Sequence, residues 1–409
     1  MPRLDPDTLL EDLDAEQRDA VMATSGPVAI LAGAGSGKTR VISRRTAYAI
    51  ATDVVPADQV LVVTFTEKAA TEMVERLRSL GLPGVTARTF HAHALSQLRH
   101  FWASRHEDAP LPELLDSKLP IIGRLARQLP GHYRFTPSKD LADEIEWAKT
   151  RRIDPKEYAA AATAAGREPP IPVDLFVRTY EGYERAKTRA NRMDFDDLLV
   201  ETVKLLELDE KAAAAVRARK SWFSVDEYQD TNPLQERLLE LWLGDRRDVC
   251  VVGDEDQTIY TFTGASSEHL TTFAARWPGT REIVLARNYR STPQVLELAN
   301  RLIAADGRDK RLVATRPDGP APKVAKHPTA QAELDALVAW IRVRMKEGIA
   351  PAEIAVLVRK NAQLASIEEA LTRAGIAYQV RGIRFYDRPE VRGAVVALRR
   401  SPRPEGTGD

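Results

Sequence analysis

Short apolar runs alternate with amphipathic segments along the first part of the chain. The runs VAIL (28–31) and VLVVTF (60–65) predict buried strands, and residues 67–80 carry apolar side chains at helical spacing. Strand-like runs return later, at WFSV (222–225), DVCVV (248–252) and EIVL (282–285). This alternation predicts an α/β fold in which helices cover a parallel sheet.

The stretch 96–190 breaks this pattern because it combines helical periodicity with little strand signal. Its helical pieces are LRHFW, IIGRLARQL and DLADEIEWAK, and the Pro-rich stretches APLP and REPPIPVD separate them. We therefore predict a helical insertion at 96–190, between the two parts of one sheet domain at 1–95 and 191–290.

A further unit is predicted after this sheet domain. The runs IAVLVRK (354–360) and IAYQV (376–380) predict strands on either side of a helix near 362–373. We assign residues 291–400 to this second, partial α/β domain, and we predict a disordered tail over SPRPEGTGD (401–409).

Composition narrows the class of protein only slightly. The 409 residues suggest two or three domains, and 44% hydrophobic with 29% charged residues is typical of a soluble globular protein. Lys+Arg and Asp+Glu are equal at 59 each, which gives no hint of a nucleic-acid partner but is compatible with one basic channel. The single Cys250 excludes an internal disulfide framework and predicts a small buried side chain. The N-terminus is acidic and no apolar stretch approaches about 18 residues, so we expect a cytoplasmic protein.

The stretch LAGAGSGKTR (31–40) joins the first strand to a helix, so its backbone N–H groups and the helix N-terminus can together hold a phosphate. Lys38 is placed to reach the β- and γ-phosphates, and the Thr39 hydroxyl to coordinate Mg²⁺. Ala32 stands where the usual pattern begins with Gly, and a residue of this size still allows close approach. Because strand, loop and helix occur together, a Gly-rich turn without a ligand is disfavoured. The predicted nucleotide-binding residues of this loop are Ala32, Gly33, Ala34, Gly35, Ser36, Gly37, Lys38 and Thr39.

An acidic pair follows a later strand of the predicted sheet. Asp226 and Glu227 come directly after WFSV, at the sheet edge where ligands bind in open α/β folds. Asp226 is predicted to hold Mg²⁺, and Glu227 to orient and deprotonate the attacking water. Taken alone, such a pair is more often a turn or a helix cap. Its combination with a phosphate loop favours the catalytic interpretation.

A second acidic loop, VVGDEDQTIYTFTGA (251–265), contains Gln257, Tyr260 and Phe262. A Gln at this edge can contact a γ-phosphate and sense its loss. Aromatic rings just beyond it can stack on nucleic-acid bases. The alternative interpretation is that Tyr260 and Phe262 belong to the protein core.

Seven motifs occur in a fixed order along the chain. They are LDAEQRDAV, AGAGSGKT, VTFTEKAATEM, ARTFHAHAL, VDEYQDTN, VGDEDQTIY and ARNYRSTPQVL. In this order they resemble the motifs of the UvrD/Rep/PcrA class of superfamily 1 DNA helicases, which travel 3′ to 5′. The resemblance covers about residues 13–399, and the sequence around TFHAHALSQLRHFW is similar to that of an actinobacterial branch of the class.

The resemblance implies a P-loop NTPase fold. A RecA-like parallel-sheet domain with a helical insertion would be followed by the first part of a second RecA-like domain. It also implies an ATP-dependent helicase and translocase that uses ATP and Mg²⁺ and acts on single-stranded DNA and 3′-tailed duplex DNA, in repair or replication. Hydrolysis would open and close the cleft between the two domains.

For the nucleotide, the resemblance assigns roles to individual residues. Gln17 would read the adenine edge, Arg40 would lie beside the base, and Tyr289 would stack on it. Arg290 would reach the γ-phosphate like an arginine finger, and Gln257 would couple the nucleotide state to the DNA track. The catalytic set is then Lys38, Asp226, Glu227, Gln257 and Arg290.

For DNA, the resemblance implies stacking platforms and backbone contacts. The platforms are Phe65, Tyr260 and Phe262, and the phosphate or sugar contacts are Thr64, Thr89 and His91. The class commonly has Trp in place of Phe262 and Arg in place of Thr263, so weaker DNA affinity is expected through that loop. His91 and His93 could suggest a metal site, but no third ligand stands nearby in the sequence, so we reject it.

Two other functions compete with this hypothesis. A different P-loop class, such as an ABC or AAA+ ATPase, does not have this order of motifs. A module that binds nucleotide and DNA without unwinding is not dismissed by the sequence. The chain ends at Asp409, before two further motifs of the class that include a second arginine for the γ-phosphate. We therefore expect slow ATP turnover, no processive unwinding by this chain alone, and the lowest stability over 291–409.

Overall fold

Two units make up the part of the chain that the computed structural model describes, which comprises residues 4–107, 109–259, 264–308 and 310–380. One unit runs to Pro322 and the other begins at Lys323. The stretch just after residue 290, which we predicted to begin the second domain, belongs to the first unit by its contacts. The predicted domain boundaries stay predictions.

A six-stranded parallel sheet forms the centre of the first unit. The described strands are β1 (Val28–Ala32), β2 (Val60–Thr64), β3 (Thr86–Thr89), β4 (Glu113–Leu114), β5 (Arg192–Met193), β6 (Trp222–Val225), β7 (Val249–Gly253), β8 (Arg281–Leu285), β9 (Arg287–Asn288) and β10 (Val313–Ala314). The order in the large sheet is β3-β2-β6-β7-β1-β8, and β4 pairs with β5 and β9 with β10. The predicted α/β class with a parallel sheet is confirmed, and the five predicted strands of this unit agree with the observed ones to within one residue at each end.

Helices occupy most of the remaining described chain. They are α1 (Ala15–Met22), α2 (Lys38–Ala51), α3 (Glu67–Ser79), α4 (Phe90–Arg105), α5 (Leu119–Ala126), α6 (Ser138–Thr150), α7 (Tyr158–Ala164), α8 (Val173–Arg189), α9 (Phe195–Leu208), α10 (Glu210–Arg219), α11 (Pro233–Leu243), α12 (Glu268–Thr271), α13 (Phe273–Arg276), α14 (Pro293–Ala305), α15 (Ala330–Lys346) and α16 (Leu364–Arg373). Among these described helices, none has the length and apolar character needed to cross a membrane.

The central strands of the sheet are buried on both faces, whereas the edge strand β8 is partly exposed. Along β2, Leu61 and Val63 pack with α4, α9 and α11 on one side, while Val60 and Val62 pack with α1, α2 and α3 on the other. Burial on both faces explains why these strands read as continuous apolar runs, as parallel strands do. Cys250 is buried in the second of these clusters, as predicted.

The stretch that we predicted to be an insertion is mainly helical and has a core of its own. Helices α5 to α8 pack around a set of aliphatic and aromatic side chains that includes Ile122, Ile145, Tyr158, Phe176 and Tyr183. Helix α4 runs through the predicted start of the insertion at residue 96, because its N-terminal half packs on the sheet domain.

Buried ion pairs join this helical region to the sheet domain. Lys149 on α6 lies 2.7 Å from Asp194, which caps α9, and Lys187 on α8 lies 2.6 Å from Asp197 in the first turn of α9. Both lysines and Asp194 are almost fully buried. Burial alone would raise the pKa of Asp194, but the two ammonium groups lower it well below its usual range. The start of α9 is therefore a charged anchor for two helices of the predicted insertion.

The described part of the second unit is a small helical cluster. Ile341 of α15 and Leu371 of α16 are buried together with Ile376. The helix predicted near 362–373 is confirmed by α16. The predicted strands IAVLVRK (354–360) and IAYQV (376–380) are wrong for the described residues, since neither pairs with another strand there. Ile354, Val356 and Ile376 of these runs pack against the helices, and an apolar run alone does not distinguish a strand from other buried segments.

Candidate functional site

The phosphate-type loop lies between β1 and α2, as predicted. Gly35 and Gly37 have φ angles of +68° and +88°, in the left-handed region that favours glycine. The Ser36 hydroxyl donates to the carbonyl of Gly33 at 2.8 Å and tightens the turn. The loop therefore presents backbone N–H groups at the N-terminus of α2, which is the geometry of an anion site.

Lys38 begins α2 and folds back over the loop. Its Nζ lies 3.3 Å from the carbonyl oxygen of Ala32 and 3.8 Å from Oε2 of Glu227. The side chain is only 11% exposed. Thr39 follows in the first helical turn, so the predicted phosphate cation and the predicted Mg²⁺ hydroxyl stand side by side.

The acidic pair lies at the carboxyl end of β6, separated from β1 by one strand. Asp226 is buried, and one of its oxygens accepts a hydrogen bond of 3.0 Å from the backbone N–H of Glu227. Glu227 itself has a φ of +49°, in the left-handed region that is uncommon for a residue other than glycine. This conformation places its carboxylate beside Lys38.

Gln229 joins the two acidic loops, and we did not assign it a role from the sequence. Its Nε2 donates to Oε2 of Glu227 at 2.8 Å, and its Oε1 accepts from the backbone N–H of Asp254 at 3.0 Å. Asp254 follows β7, which lies between β6 and β1. Gln257 donates to Oδ2 of Asp254 at 2.5 Å. The predicted base and the predicted phosphate sensor are thus connected through two residues, Gln229 and Asp254.

Burial sets the protonation of Asp226. It raises the pKa of this carboxyl group to about 7, and the neighbouring charge of Glu227 adds to the effect, against smaller opposing contributions from the backbone of Glu227 and from Lys38. A divalent cation favours the ionised form, so a buried carboxylate with a raised pKa fits a metal ligand.

Asp226→Asn is expected to stabilise the protein at high pH in the absence of Mg²⁺. The folded pKa of about 7 lies above the unfolded value near 3.9, so the proton-linked stability is complete at low pH and is lost as the pH rises from about 4 to 7. Asparagine cannot ionise, so the free energy of unfolding in EDTA should exceed the parental value at pH 8 by roughly 1–4 kcal/mol, and by much less at pH 4. Urea unfolding at both pH values tests this. Asp245→Asn, at an exposed site, is the control. An equal effect of Asp226→Asn at both pH values would contradict the assignment.

The predicted base-reading residues flank the phosphate loop. Gln17 is buried, and its Nε2 donates to the carbonyl of Ser36 at 2.9 Å. Within the described chain, Oε1 of Gln17 is buried without a hydrogen-bond partner, which suits an amino group such as that of adenine. Tyr289 donates its hydroxyl to Asp14, which caps the helix that carries Gln17. Arg40 lies in the first turn of α2. The structure thus brings the predicted base contacts to one end of the loop.

The NYR motif reaches the loop through backbone contacts. The N–H of Tyr289 donates to the carbonyl of Gly35 at 2.9 Å, and Nδ2 of Asn288 donates to the carbonyl of Ala34 at 2.5 Å. A Cβ placed on Gly35 would lie only 2.8 Å from Cβ of Arg290. The exposed Arg290 is therefore held directly beside the loop, and its role toward the γ-phosphate stays a prediction.

The predicted DNA-contact threonines are engaged in local structure. Thr64 is buried at the end of β2, where its hydroxyl donates to the carbonyl of Thr66 at 3.2 Å. Thr89 caps α4 by accepting from Ala92, and its hydroxyl donates to Glu67 at 2.7 Å. Their roles as DNA contacts stay predictions.

The predicted aromatic track is partly described. Phe65 is half-buried after β2, and His91 lies edge-on to Phe195, with 6.1 Å between ring centroids. Phe195 is 50% exposed, and we did not single it out from the sequence. Tyr260 and Phe262 lie outside the described residues.

The two histidines of α4 differ in environment. Burial lowers the pKa of His91, and it lowers that of His93 to about 3. The ring of His93 is half-buried and packs edge-on against Trp242, with 4.8 Å between the ring centroids.

A phosphate loop, an acidic pair and a glutamine-bearing loop at the carboxyl edge of one parallel sheet define a P-loop nucleoside-triphosphate-binding protein. Two family models cover nearly all of the chain. The UvrD/REP helicase N-terminal domain matches residues 13–278, and the UvrD-like helicase C-terminal domain matches residues 283–405. The chain therefore belongs to the UvrD/REP helicase family, as the motifs predicted. This membership excludes the ABC and AAA+ alternatives.

Curated relatives agree with this assignment. The chain is 47% identical over 411 residues to the ATP-dependent DNA helicase UvrD2 of Mycobacterium tuberculosis. This alignment covers 96% of this chain and 59% of the relative. It is 38% identical to UvrD1 of the same organism, over 96% of this chain and 53% of that relative. It is 32% identical to PcrA of Staphylococcus epidermidis, over 96% of this chain and 54% of that relative. The chain spans little more than half the length of these relatives. Two of the three are mycobacterial, in agreement with the predicted likeness to an actinobacterial branch.

Proposed function

We propose that this chain is the ATP-hydrolysing part of a translocase that moves 3′ to 5′ on single-stranded DNA and unwinds 3′-tailed duplexes. The observation that carries the proposal is the chain of contacts from Lys38 through Glu227 and Gln229 to Asp254 and Gln257. It joins a phosphate cation and a general base to the loop that leads into Tyr260. A conformational signal from the nucleotide could therefore reach Gln257, three residues before the predicted DNA track, through direct contacts.

Nucleotide binding follows from the residues around the loop. ATP would lie with its phosphates over 33–38 and its adenine between Gln17 and Tyr289. Mg²⁺ would be held by Asp226 and the Thr39 hydroxyl, and when bound it would neutralise charge on the phosphates. The raised pKa of Asp226 and the unpartnered Oε1 of Gln17 support this placement.

Hydrolysis requires a base and charge stabilisation. Glu227 would accept a proton from the attacking water while Gln229 fixes the orientation of its carboxylate. Lys38 would stabilise the developing charge on the γ-phosphate, and Arg290 would add a second cation from the opposite side of the loop. Gln257 would respond to loss of the γ-phosphate.

The DNA track would begin at the loop after Gln257. Tyr260, Phe262 and Phe65 would stack on bases, and the exposed Phe195 would extend the surface. Thr64, Thr89 and His91 would contact the phosphates or sugars. The proposed partners are single-stranded DNA and 3′-tailed duplex DNA. The proposed process is DNA repair or replication, and the proposed location is the cytoplasm.

Tyr260→Ala and Phe262→Ala are expected to weaken single-stranded DNA binding by roughly 1–3 kcal/mol each, because each removes one base-stacking platform. Fluorescence anisotropy with a labelled oligonucleotide at several salt concentrations measures the loss, and affinity for nucleotide alone should stay close to the parental value. Phe135→Ala removes a ring that is 74% exposed in the helical region and is the matched control. If both variants bind DNA with the parental affinity, the two rings are core residues and not base-stacking platforms.

The proposed function is tested by ATP turnover with and without single-stranded DNA, followed by unwinding of 3′-tailed and 5′-tailed duplexes. Stimulated turnover with unwinding of the 3′-tailed substrate supports the whole proposal. Binding of nucleotide and DNA without turnover would instead support the binding module. That alternative is not favoured, because helicase-domain models match residues 13–278 and 283–405.

A further inference from the structure

The segment after α14 lies across the phosphate loop. A Cβ placed on Gly33 would lie 2.4 Å from Cδ2 of Leu312, so this leucine covers the start of the loop. Asn300 of α14 fixes Leu312 through two hydrogen bonds, with the leucine N–H donating to Oδ1 at 3.0 Å and Nδ2 donating to the leucine carbonyl at 2.9 Å. The next residues form β10, which pairs with β9. The segment is therefore fastened to β9, which directly precedes Tyr289 and Arg290.

Lys310 extends from this segment into the acidic loop after β7. Its Nζ donates to Oδ1 of Asp254 and lies 3.2 Å from Glu255 and 3.0 Å from Asp256. The side chain is only 18% exposed. The three carboxylates can approach one another within 4.8 Å, so their mutual repulsion is large unless a cation is present. Among the described residues, Lys310 contacts all three, whereas Arg308 pairs with Asp256 alone.

Asp254 is the centre of this loop. Its Oδ2 accepts from Gln257 at 2.5 Å, its Oδ1 accepts from the N–H of Asp256 at 3.2 Å, and its own N–H donates to Gln229. Burial would raise the pKa of Asp254, but the hydrogen bonds from Lys310 and Gln257 lower it overall. The carboxylate that orients the glutamine sensor is thus kept ionised and in place by Lys310.

Charge explains why this contact bears on the nucleotide. A triphosphate beside Lys38 would face the carboxylates at 254–256, and each unneutralised carboxylate would oppose the charge of the γ-phosphate. A cation held among these carboxylates reduces their electrostatic repulsion of the γ-phosphate. It also fixes the amide of Gln257, which would otherwise lose an ionised partner.

We propose that Lys310 is a positioning residue for γ-phosphate sensing. It offsets part of the negative charge of the 254–256 loop, holds Gln257 through Asp254, and ties this loop to the segment that pairs with β9, directly before Arg290. The proposal rests on the proposed function, because it assumes that the loop responds to the γ-phosphate. Lys310 itself need not touch the nucleotide. Its effect is on how strongly the site distinguishes a triphosphate from a diphosphate.

The experiment measures binding of fluorescent ADP and of a fluorescent non-hydrolysable ATP analogue, with Mg²⁺, to the whole chain. Lys310→Met should reduce the preference for the triphosphate by about fivefold or more, which is the usual lower range of coupling between two sites. Lys310→Arg keeps the charge and should restore the parental ratio. Arg311→Met removes the same charge from an exposed neighbour and should leave the ratio unchanged.

The outcomes separate this proposal from the proposed function. A parent that binds neither nucleotide, or whose binding is indifferent to Lys38→Ala, overturns the proposed function. A parent that binds both, with the parental ratio retained in Lys310→Met, overturns the assignment of Lys310 alone. Equal weakening of both nucleotides together with a lower Tm would show a structural role and also overturns it. Lys310→Gln replaces Lys310→Met if the latter does not fold.

Discussion

Lys38→Ala is expected to reduce ATP turnover by at least about 100-fold, the loss that follows removal of one stabilising group from a developing oxyanion. The structure gives the reason. Nζ of Lys38 is held between the Ala32 carbonyl and the Glu227 carboxylate, and no alanine side chain can replace the cation there. Steady-state phosphate release with saturating single-stranded DNA measures the effect.

A control must separate lost chemistry from lost folding. Lys204 lies on α9, is 49% exposed and pairs only with Glu201 among the described residues, so Lys204→Ala removes a lysine at no expected cost in turnover. The Tm of both variants should remain close to that of the parent. Turnover by Lys38→Ala at half the parental rate or more would contradict the assignment of Lys38 to the phosphate site.

Glu227→Gln is expected to lower turnover by about 10²–10⁴-fold while ATP remains bound. Glutamine keeps an oxygen that can accept from Gln229, so the loop geometry should survive, but it is a very weak base. ATP affinity should be retained or increased, because a negative charge beside the phosphates is removed. Rapid-quench measurement of a single turnover, with nucleotide binding measured separately, distinguishes the two effects.

A second readout of Glu227→Gln concerns its neighbour. The charge of Glu227 contributes to the raised pKa of Asp226, so its removal should shift Mg²⁺ binding by the variant to lower pH. Glu201→Gln, on the surface of α9, is the control and should leave both turnover and this pH dependence unchanged. A turnover rate equal to that of the parent would show that another group is the base.

The central part of the site could be predicted because each of its loops directly follows a buried strand. The apolar runs at 28–31 and 222–225 located two strands, and residues directly after parallel strands meet at one sheet edge. Gln17 and Tyr289 were placed by resemblance, and the structure puts both beside the loop.

Other features could not be predicted because they depend on contacts between distant residues. Lys310 is 56 residues from Asp254, and no local pattern distinguishes it from neighbouring surface cations. Gln229 lay inside a recognised motif, but its two hydrogen bonds appear only when β6 and β7 are adjacent. The runs at 354–360 and 376–380 were misread as strands because apolar content reports burial and not pairing.

The buried ion pairs at the start of α9 limit how this protein can be recombined. A chimaera that exchanges 96–190 for a foreign helical block keeps Asp194 and Asp197 but discards the lysines that neutralise them. Breaking a buried pair by removing one partner typically costs about 3–5 kcal/mol, a large share of the stability of a domain. The helical region can therefore be exchanged between proteins only together with the first turn of α9. The segment that must be exchanged is longer than the helical pattern in the sequence suggests.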